Sequence, residues 1–177
     1  KRTKPFSEAQ LAQQRRFGIV GQFLLPLKGL LEIGLANVDD STATLFNRAV
    51  ALNLPTVQGD YPDFEIDYSK VQFSKGRLEP LRGVAVSHES GTVTVTWNPV
   101  ANRFAGNVDD EIYVLLYDRE LGLFYTSDEI AVRSAGQADI PLDADTAGHT
   151  ADVWLFAVMR DGSRISKTVY GGTLTLG

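Results

Sequence analysis

Side chains capable of acid–base or metal chemistry are few in this chain. Histidine is the usual general base and metal ligand near neutral pH, and the sequence has only His88 and His149, which we predict to lie in surface turns. Neither has a second histidine at metal-ligand spacing. Cysteine is absent, which excludes a thiolate nucleophile, a disulfide and a cysteine-ligated metal. The sequence therefore predicts no catalytic residue, no metal site and no cofactor.

Carboxylates are more numerous and group in predicted loops. Residues 142–148 resemble a calcium loop through Asp143 and Asp145, but the third acidic ligand and the terminal glutamate of an EF-hand are missing. A second acid-rich segment spans residues 60–67. A glycosidase needs two carboxylates that face each other across a cleft, and spacing along one chain does not establish such a pair. We interpret both groups as solvated turns, with a calcium ion at the loop acids as the alternative.

Aromatic side chains accompany the second acidic segment. Tyr61, Phe64 and Tyr68 alternate with its acids, and exposed rings there would form a binding surface. Two further aromatic residues, Phe124 and Tyr125, offer a second stacking platform in a predicted turn. The competing interpretation is an apolar seam between the helices and the strands predicted below. The sequence leaves both interpretations open.

Charge is distributed unevenly along the chain. Residues 1–28 contain six basic residues and one acid, whereas the rest contains 11 basic residues and 21 acids. A basic arm on an acidic body predicts a protein partner, including a neighbouring copy of this chain, and a solvated helix face is the alternative. The acidic body opposes phosphates and the arm has few interleaved aromatic residues, so we predict no nucleic-acid partner. The predicted partner-binding residues are Lys1, Arg2, Lys4, Arg15, Arg16, Tyr61, Phe64 and Tyr68.

The N-terminal part carries helical signals. Ser7 followed by Gln10 fits a capping box, and apolar residues recur at helical spacing up to Pro26, which predicts a kink or a new helix. A further helix is predicted after the loop at residues 37–42 and ends at Pro55. The apolar stretch at residues 17–35 is interrupted by Lys28 and other polar residues, so we predict a helical pair packed on protein and no membrane span.

From residue 81 onward the pattern is entirely that of strands. Short apolar runs are separated by Gly, Asn and Asp turns, and seven or so such strands are typical of a two-sheet sandwich. The boundary falls at residues 76–82. The sequence therefore predicts an α+β protein, with a helical region containing short extended segments over residues 1–80 and an antiparallel β-sandwich over residues 81–177.

Two segments give the sandwich a family resemblance. Residues 91–99, with Trp97, are similar to the second strand of a fibronectin-III domain, where a tryptophan packs between the sheets. Residues 153–163 are similar to its sixth strand and the turn that follows. The tyrosine of that sixth strand is absent, and Trp154 is the nearest aromatic residue. A generic immunoglobulin-like sandwich is therefore the alternative.

Over almost its whole length the chain resembles an uncharacterised family of Bacteroidota proteins, a domain of unknown function. Four segments carry this resemblance: residues 9–17, 46–50, 61–71 and 74–76. The resemblance implies a glycine-rich segment ahead of Lys1, consistent with the missing initial methionine. It implies a fold and a lineage but no catalytic residue.

These observations favour a non-enzymatic structural or assembly protein that mediates protein–protein contacts. Catalytic constellations are missing, a sandwich is a common interaction scaffold, and its edge strands can add backbone pairing. A carbohydrate- or surface-binding module that uses exposed aromatic residues is the alternative. An enzyme ranks third, because it would need two acids that converge in a pocket.

Overall fold

Two helices joined by a sharp turn open the described part of the chain. The computed structural model describes residues 5–38, 43–102 and 104–177. Helix α1, Glu8–Leu24, begins with the predicted capping box, in which the Ser7 hydroxyl accepts from the Gln10 backbone amide and the Gln10 side chain accepts from the Ser7 amide. Pro26 lies in a 3-10 turn, Leu25–Leu27, and helix α2, Lys28–Gly34, follows at once.

A third helix and a connecting segment lead to the sandwich. Helix α3, Leu45–Asn53, is capped by Thr44, whereas residues 39–42 of the predicted start signal lie outside the described residues. A two-stranded ribbon follows, formed by β1, Val57–Gln58, and β2, Glu65–Ile66. Residues 71–73 follow as one of the expected short extended segments outside any strand, with Val71 at φ −63° and ψ 139°. The backbone amides of Phe73 and Ser74 donate to the Thr168 hydroxyl, at 2.8 and 2.9 Å.

The rest of the chain forms the predicted antiparallel sandwich. Its strands are β3 Ala85–Glu89, β4 Thr92–Thr96, β5 Glu111–Asp118, β6 Leu123–Tyr125, β7 Ala131–Val132, β8 Gln137–Pro141, β9 Thr150–Val158 and β10 Val169–Thr175. One sheet has the order β3-β4-β8 and the other β10-β9-β5-β6, with β7 pairing the opposite end of β5. The register of β10 against β9 shifts between Tyr170 and Gly172, as at a β-bulge.

The second sheet is buried on both faces, so we call it the central sheet. Successive residues of a strand point to opposite faces. Along β9, Val153 and Leu155 pack against the three-stranded sheet together with Trp97, as the fibronectin-III resemblance implies. Trp154 and Phe156 point the other way and pack against the helices. The fold therefore has three layers, in the order helices, central sheet and three-stranded sheet.

The helices pack on the central sheet through one apolar side. Val20, Phe23, Leu24, Leu27 and Leu31 are buried there. Within the described residues, Glu8–Gly34 is the one helical segment with the length and composition to cross a membrane, and a core helix of a soluble protein meets the same criteria. The absence of a membrane span stays a prediction.

Candidate functional site: a groove between the first helix and the central sheet

A concave surface lies where α1, the β1–β2 ribbon and the central sheet meet. Its volume is about 830 Å³, within the range of ligand pockets. Helix α1 and the ribbon form the walls, and rings and polar side chains of β5, β6 and β10 form the floor. The lining residues used below are Arg15, Gln22, Gln58, Phe64, Glu65, Asp67, Tyr68, Tyr117, Arg119, Phe124, Tyr170 and Thr173. We call this surface the helix–sheet groove.

A buried ion pair supports the floor of the helix–sheet groove. Asp152 of β9 is fully buried. Its carboxylate accepts from Arg119 Nε at 2.6 Å and Nη2 at 2.9 Å, and from the hydroxyls of Tyr170 at 2.6 Å and Thr173 at 2.7 Å. Bidentate, charge-assisted bonds of this kind are strong and fix the geometry of a guanidinium. Arg119 is therefore held in one position, with its side chain still 38% exposed.

Tyr68 belongs to the seam between the helices and the sandwich. The guanidinium carbon of Arg119 lies 4.7 Å from its ring centre, and the Trp154 indole donates to its backbone carbonyl at 3.0 Å. Burial raises the pKa of Tyr68 to about 12, and the neighbouring Tyr117 phenol adds to the effect. The phenol is thus neutral near physiological pH, and its ring serves packing.

Several predicted partner-binding residues surround the same groove. Arg16 places its guanidinium carbon 4.6 Å from the ring centre of Phe64, and the Tyr61 ring lies 6.3 Å from the Phe64 ring. Arg15 lines the groove and is exposed, with no ion pair or hydrogen bond within the described ranges. Tyr61 lines a neighbouring depression beside α1. Their role as partner-binding residues stays a prediction.

Three of the predicted basic residues have no structural outcome, since Lys1, Arg2 and Lys4 lie outside the described residues.

Sequence reasoning also missed two residues of the groove floor, Asp152 and Arg119. The signal for Asp152 was a lone acid between apolar residues of a buried strand, because a buried carboxylate requires a cation or hydrogen-bond donors. The signal for Arg119 was weaker, since an arginine after a strand is ordinarily solvated.

A second group of polar side chains lies at the β5–β6 turn. Ligand-type atoms of Asp118, Glu120 and His149 lie within 4.8 Å of one another. The carboxylate of Asp118 accepts from the amides of Glu120 and Leu121 at 2.9 Å each and contacts His149 Nδ1 at 2.7 Å. Glu120 accepts from the Thr150 amide at 2.8 Å. Backbone amides and His149 thus already occupy the carboxylates of Asp118 and Glu120, and these hydrogen bonds stabilise the turn.

The two histidines differ from the expected surface turns. His149 does precede β9 in a turn, but only 21% of its side chain is exposed because it packs against Asp118. The turn prediction for His88 is wrong, since it lies within β3, and its Nδ1 accepts from the Gly177 amide at 3.0 Å.

A buried ion pair also joins the β7–β8 connection to the loop before β5. Arg133 Nη2 lies 3.0 Å from Asp110 Oδ2, and both side chains are almost fully buried. Arg133 also donates to the Glu79 carbonyl at 2.8 Å, and its own carbonyl accepts from the Trp97 indole at 2.8 Å. Asp110 Oδ1 is buried without a partner within the described residues. These contacts fasten the segment before β3 to the sandwich.

Comparison with known proteins assigns the family. Residues 1–172 match the model of a family of unknown function, DUF6266. No curated protein matches the chain. The fn3 domain of human contactin 1, known from solution structures, is 10% identical with a TM-score of 0.32, and the match covers 57% of this chain and 75% of that one. The fold assignment rests on the strand order, and the Bacteroidota lineage stays a prediction. The chain belongs to the DUF6266 family of unknown function.

Proposed function

We propose that this protein is a non-enzymatic assembly protein that contacts other copies of itself through the free edge of its central sheet. The observation that carries the proposal is the difference between the two free edges on the same side of the sandwich, β8 and β6. An exposed strand edge offers unpaired backbone groups to another chain, and proteins that stay monomeric protect such edges with charges or proline.

The edge at β8 is protected. Asp139 is exposed and accepts from the Thr94 hydroxyl at 2.7 Å, which places a carboxylate on the strand. Pro141 ends the strand and has no amide to donate. Both features oppose pairing with another strand.

The edge at β6 has neither form of protection. Its residues are Leu123, Phe124 and Tyr125, and no proline or charge interrupts them. Leu123 is 52% exposed, and Ile130, just before β7, is 53% exposed. Both line an apolar depression of about 500 Å³ that reaches Pro26 and Leu30 at the helical turn. Exposed apolar side chains around an open strand edge are typical of a contact surface.

A second copy is the partner that this edge fits best. An antiparallel copy of β6 presents the same backbone donors and acceptors in reverse order, so pairing about a twofold axis satisfies both edges and closes the assembly. The basic residues of positions 1–28 and the acids of the remainder add an attraction between copies that salt would screen.

The proposal that the protein is not an enzyme rests on its buried carboxylates, which are already paired with basic side chains. Within the part of the chain that the structure describes, Asp110, Asp118 and Asp152 are fully buried. Each already contacts a basic side chain, Arg133, His149 and Arg119 respectively. A general base needs access to a substrate proton, and these groups are engaged in holding the fold.

Light scattering after size exclusion tests the assembly proposal, over a range of protein and salt concentrations. We expect the protein to form a dimer or larger species. Leu123→Lys should give a monomer, because it places a charge in the open edge, whereas Gln137→Lys on the protected β8 edge is the matched control and should assemble normally. A monomeric protein at every concentration and salt, or equal assembly of both variants, would overturn the proposal.

A further inference from the structure

We propose that the helix–sheet groove binds a neutral oligosaccharide, with Arg119, Gln22 and Gln58 as its hydrogen-bonding residues. This inference does not rest on the contact at β6, although the groove adjoins the β6 depression and shares Pro26, Gly122 and Phe124 with it. Of the aromatic residues expected from the sequence to stack on a ligand, this site uses Phe124, and its hydrogen-bonding residues are new.

The first argument is that Arg119 presents an unused hydrogen-bond donor in a fixed position. Asp152 occupies Nε and Nη2 of Arg119, whereas Nη1 makes no hydrogen bond within the described residues. The Tyr68 ring under the guanidinium holds its plane. A ligand that accepts from Nη1 therefore does not have to immobilise a flexible side chain, which removes one of the ordinary costs of binding.

The second argument is a pair of free amides on opposite walls. Gln22 lies on α1 and Gln58 on the ribbon, both are exposed, and neither side chain has a hydrogen bond within the described ranges. A primary amide carries two donors and an acceptor. A sugar hydroxyl likewise both donates and accepts, so amides on two walls match a ligand with hydroxyls around its ring.

The third argument is charge balance. Arg119 is neutralised by Asp152, and Asp67 is paired with Lys70 at 2.7 Å. The remaining lining charges are Arg15 and Glu65, one of each sign. A site for phosphate or carboxylate groups would carry excess positive charge, so this balance favours a neutral ligand.

The floor supplies the apolar contact that a sugar ring also needs. Tyr117, Phe124 and Tyr170 are half-buried and line the groove from three strands. By contrast, guanidinium groups lie over the rings of Phe64 and Tyr68. The carbon-bound hydrogens of a sugar would pack on the floor rings while its hydroxyls reach the walls.

Calorimetric titration tests the proposal with a panel of neutral oligosaccharides: cello-, xylo-, malto- and manno-oligosaccharides. Oligogalacturonate and a random peptide library serve as the acidic and the peptide probes. We expect at least one neutral oligosaccharide to bind. Gln22→Ala and Gln58→Ala should each weaken it by about 2- to 10-fold, the worth of one hydrogen bond.

Gln13→Ala is the matched control, because Gln13 lies on α1, is exposed and does not line the groove. Circular dichroism of every variant checks that the fold is retained. The proposal is overturned if no neutral oligosaccharide binds at millimolar concentration, or if the acidic or peptide probes bind more tightly. Unchanged affinity in the Gln22→Ala, Gln58→Ala double variant would also overturn it.

Discussion

The two faces of the central sheet are packed by different chemistry. Toward the three-stranded sheet, the buried side chains of β5 and β9 are aliphatic, as at Ile112 and Leu155. Toward the helices they are mostly aromatic, and Phe23 of α1 lies within 5.0–6.4 Å of five other rings, measured between centroids. That face also contains the Asp152–Arg119 pair.

The difference shows how one strand pattern gives both a closed core and an open groove. Small branched side chains from two sheets interdigitate and leave few voids. Large rings that arrive from several separate segments meet edge to face, as Trp154 and Phe73 do at 5.3 Å. The helix–sheet groove lies beside these rings, and Tyr68, Tyr117 and Phe124 line it.

The largest expected effects on stability come from truncating adjacent side chains of β9, one on each face of the central sheet. Trp154→Ala removes a fully buried ring and its bond to the Tyr68 carbonyl, and should lower the free energy of unfolding by about 3–5 kcal/mol. Leu155→Ala on the other face should lower it by about 2–5 kcal/mol. Denaturant unfolding measures both values.

Hydrogen exchange then distinguishes the faces. Trp154→Ala should speed exchange in α1 and α3 before it affects β4, because only the helix face loses contacts. Leu155→Ala should affect β4 at least as much as the helices. The same exchange pattern in both variants would contradict the idea that the faces are separate packing units.

A matched pair of glycines probes how closely the helices approach. A Cβ on Gly34 would lie 2.2 Å from the Phe73 carbonyl oxygen, whereas one on Gly29 would meet nothing within 4 Å. Gly34→Ala should therefore destabilise the protein by about 1–3 kcal/mol through overpacking. Gly29→Ala should stabilise it by about 0.5–1 kcal/mol through helix propensity. Thermal unfolding of both variants measures the contrast, and a stabilising Gly34→Ala would show that α2 can move away.

The smallest effect is the loss of stability at alkaline pH that Tyr68 contributes on the face of the central sheet toward the helices. The folded state holds the pKa of Tyr68 at about 12 against 10.0 in the unfolded chain. The unfolded state therefore releases this proton first, and the stability it contributes is complete below about pH 10 and is lost as pH rises toward 12. Tyr68→Phe should flatten the profile of denaturation midpoint against pH over that window. Equal slopes for the two proteins would refute the assignment to Tyr68.

Much of the architecture follows from local patterns. The Ser7 cap, the break at Pro26 and the strand alternation were readable because each depends on near neighbours in the chain. The bond from the Phe73 amide to the Thr168 hydroxyl was not readable, because its two residues are distant in sequence. His88 was misplaced because a polar residue near a turn can equally well occupy an edge strand.

The candidate site was predictable only in part. The aromatic and basic residues around it were identified, because Arg15, Arg16, Phe64 and Tyr68 stand out by type. The sequence did not show that the Arg16 guanidinium lies over the Phe64 ring and the Arg119 guanidinium over the Tyr68 ring. Cation–π contacts depend on the position of a side chain in space, and sequence spacing does not fix it.

The sequence by itself determined most element types, the order of helices before strands along the chain and the scarcity of catalytic groups, because periodicity and composition are properties of neighbouring residues. The tertiary structure alone decided which face of the central sheet receives the helices. It also brought together Arg119, Asp152 and Tyr170, which are far apart in the chain. Asp152 fixes Arg119 because a carboxylate removed from water must find its partners within the fold.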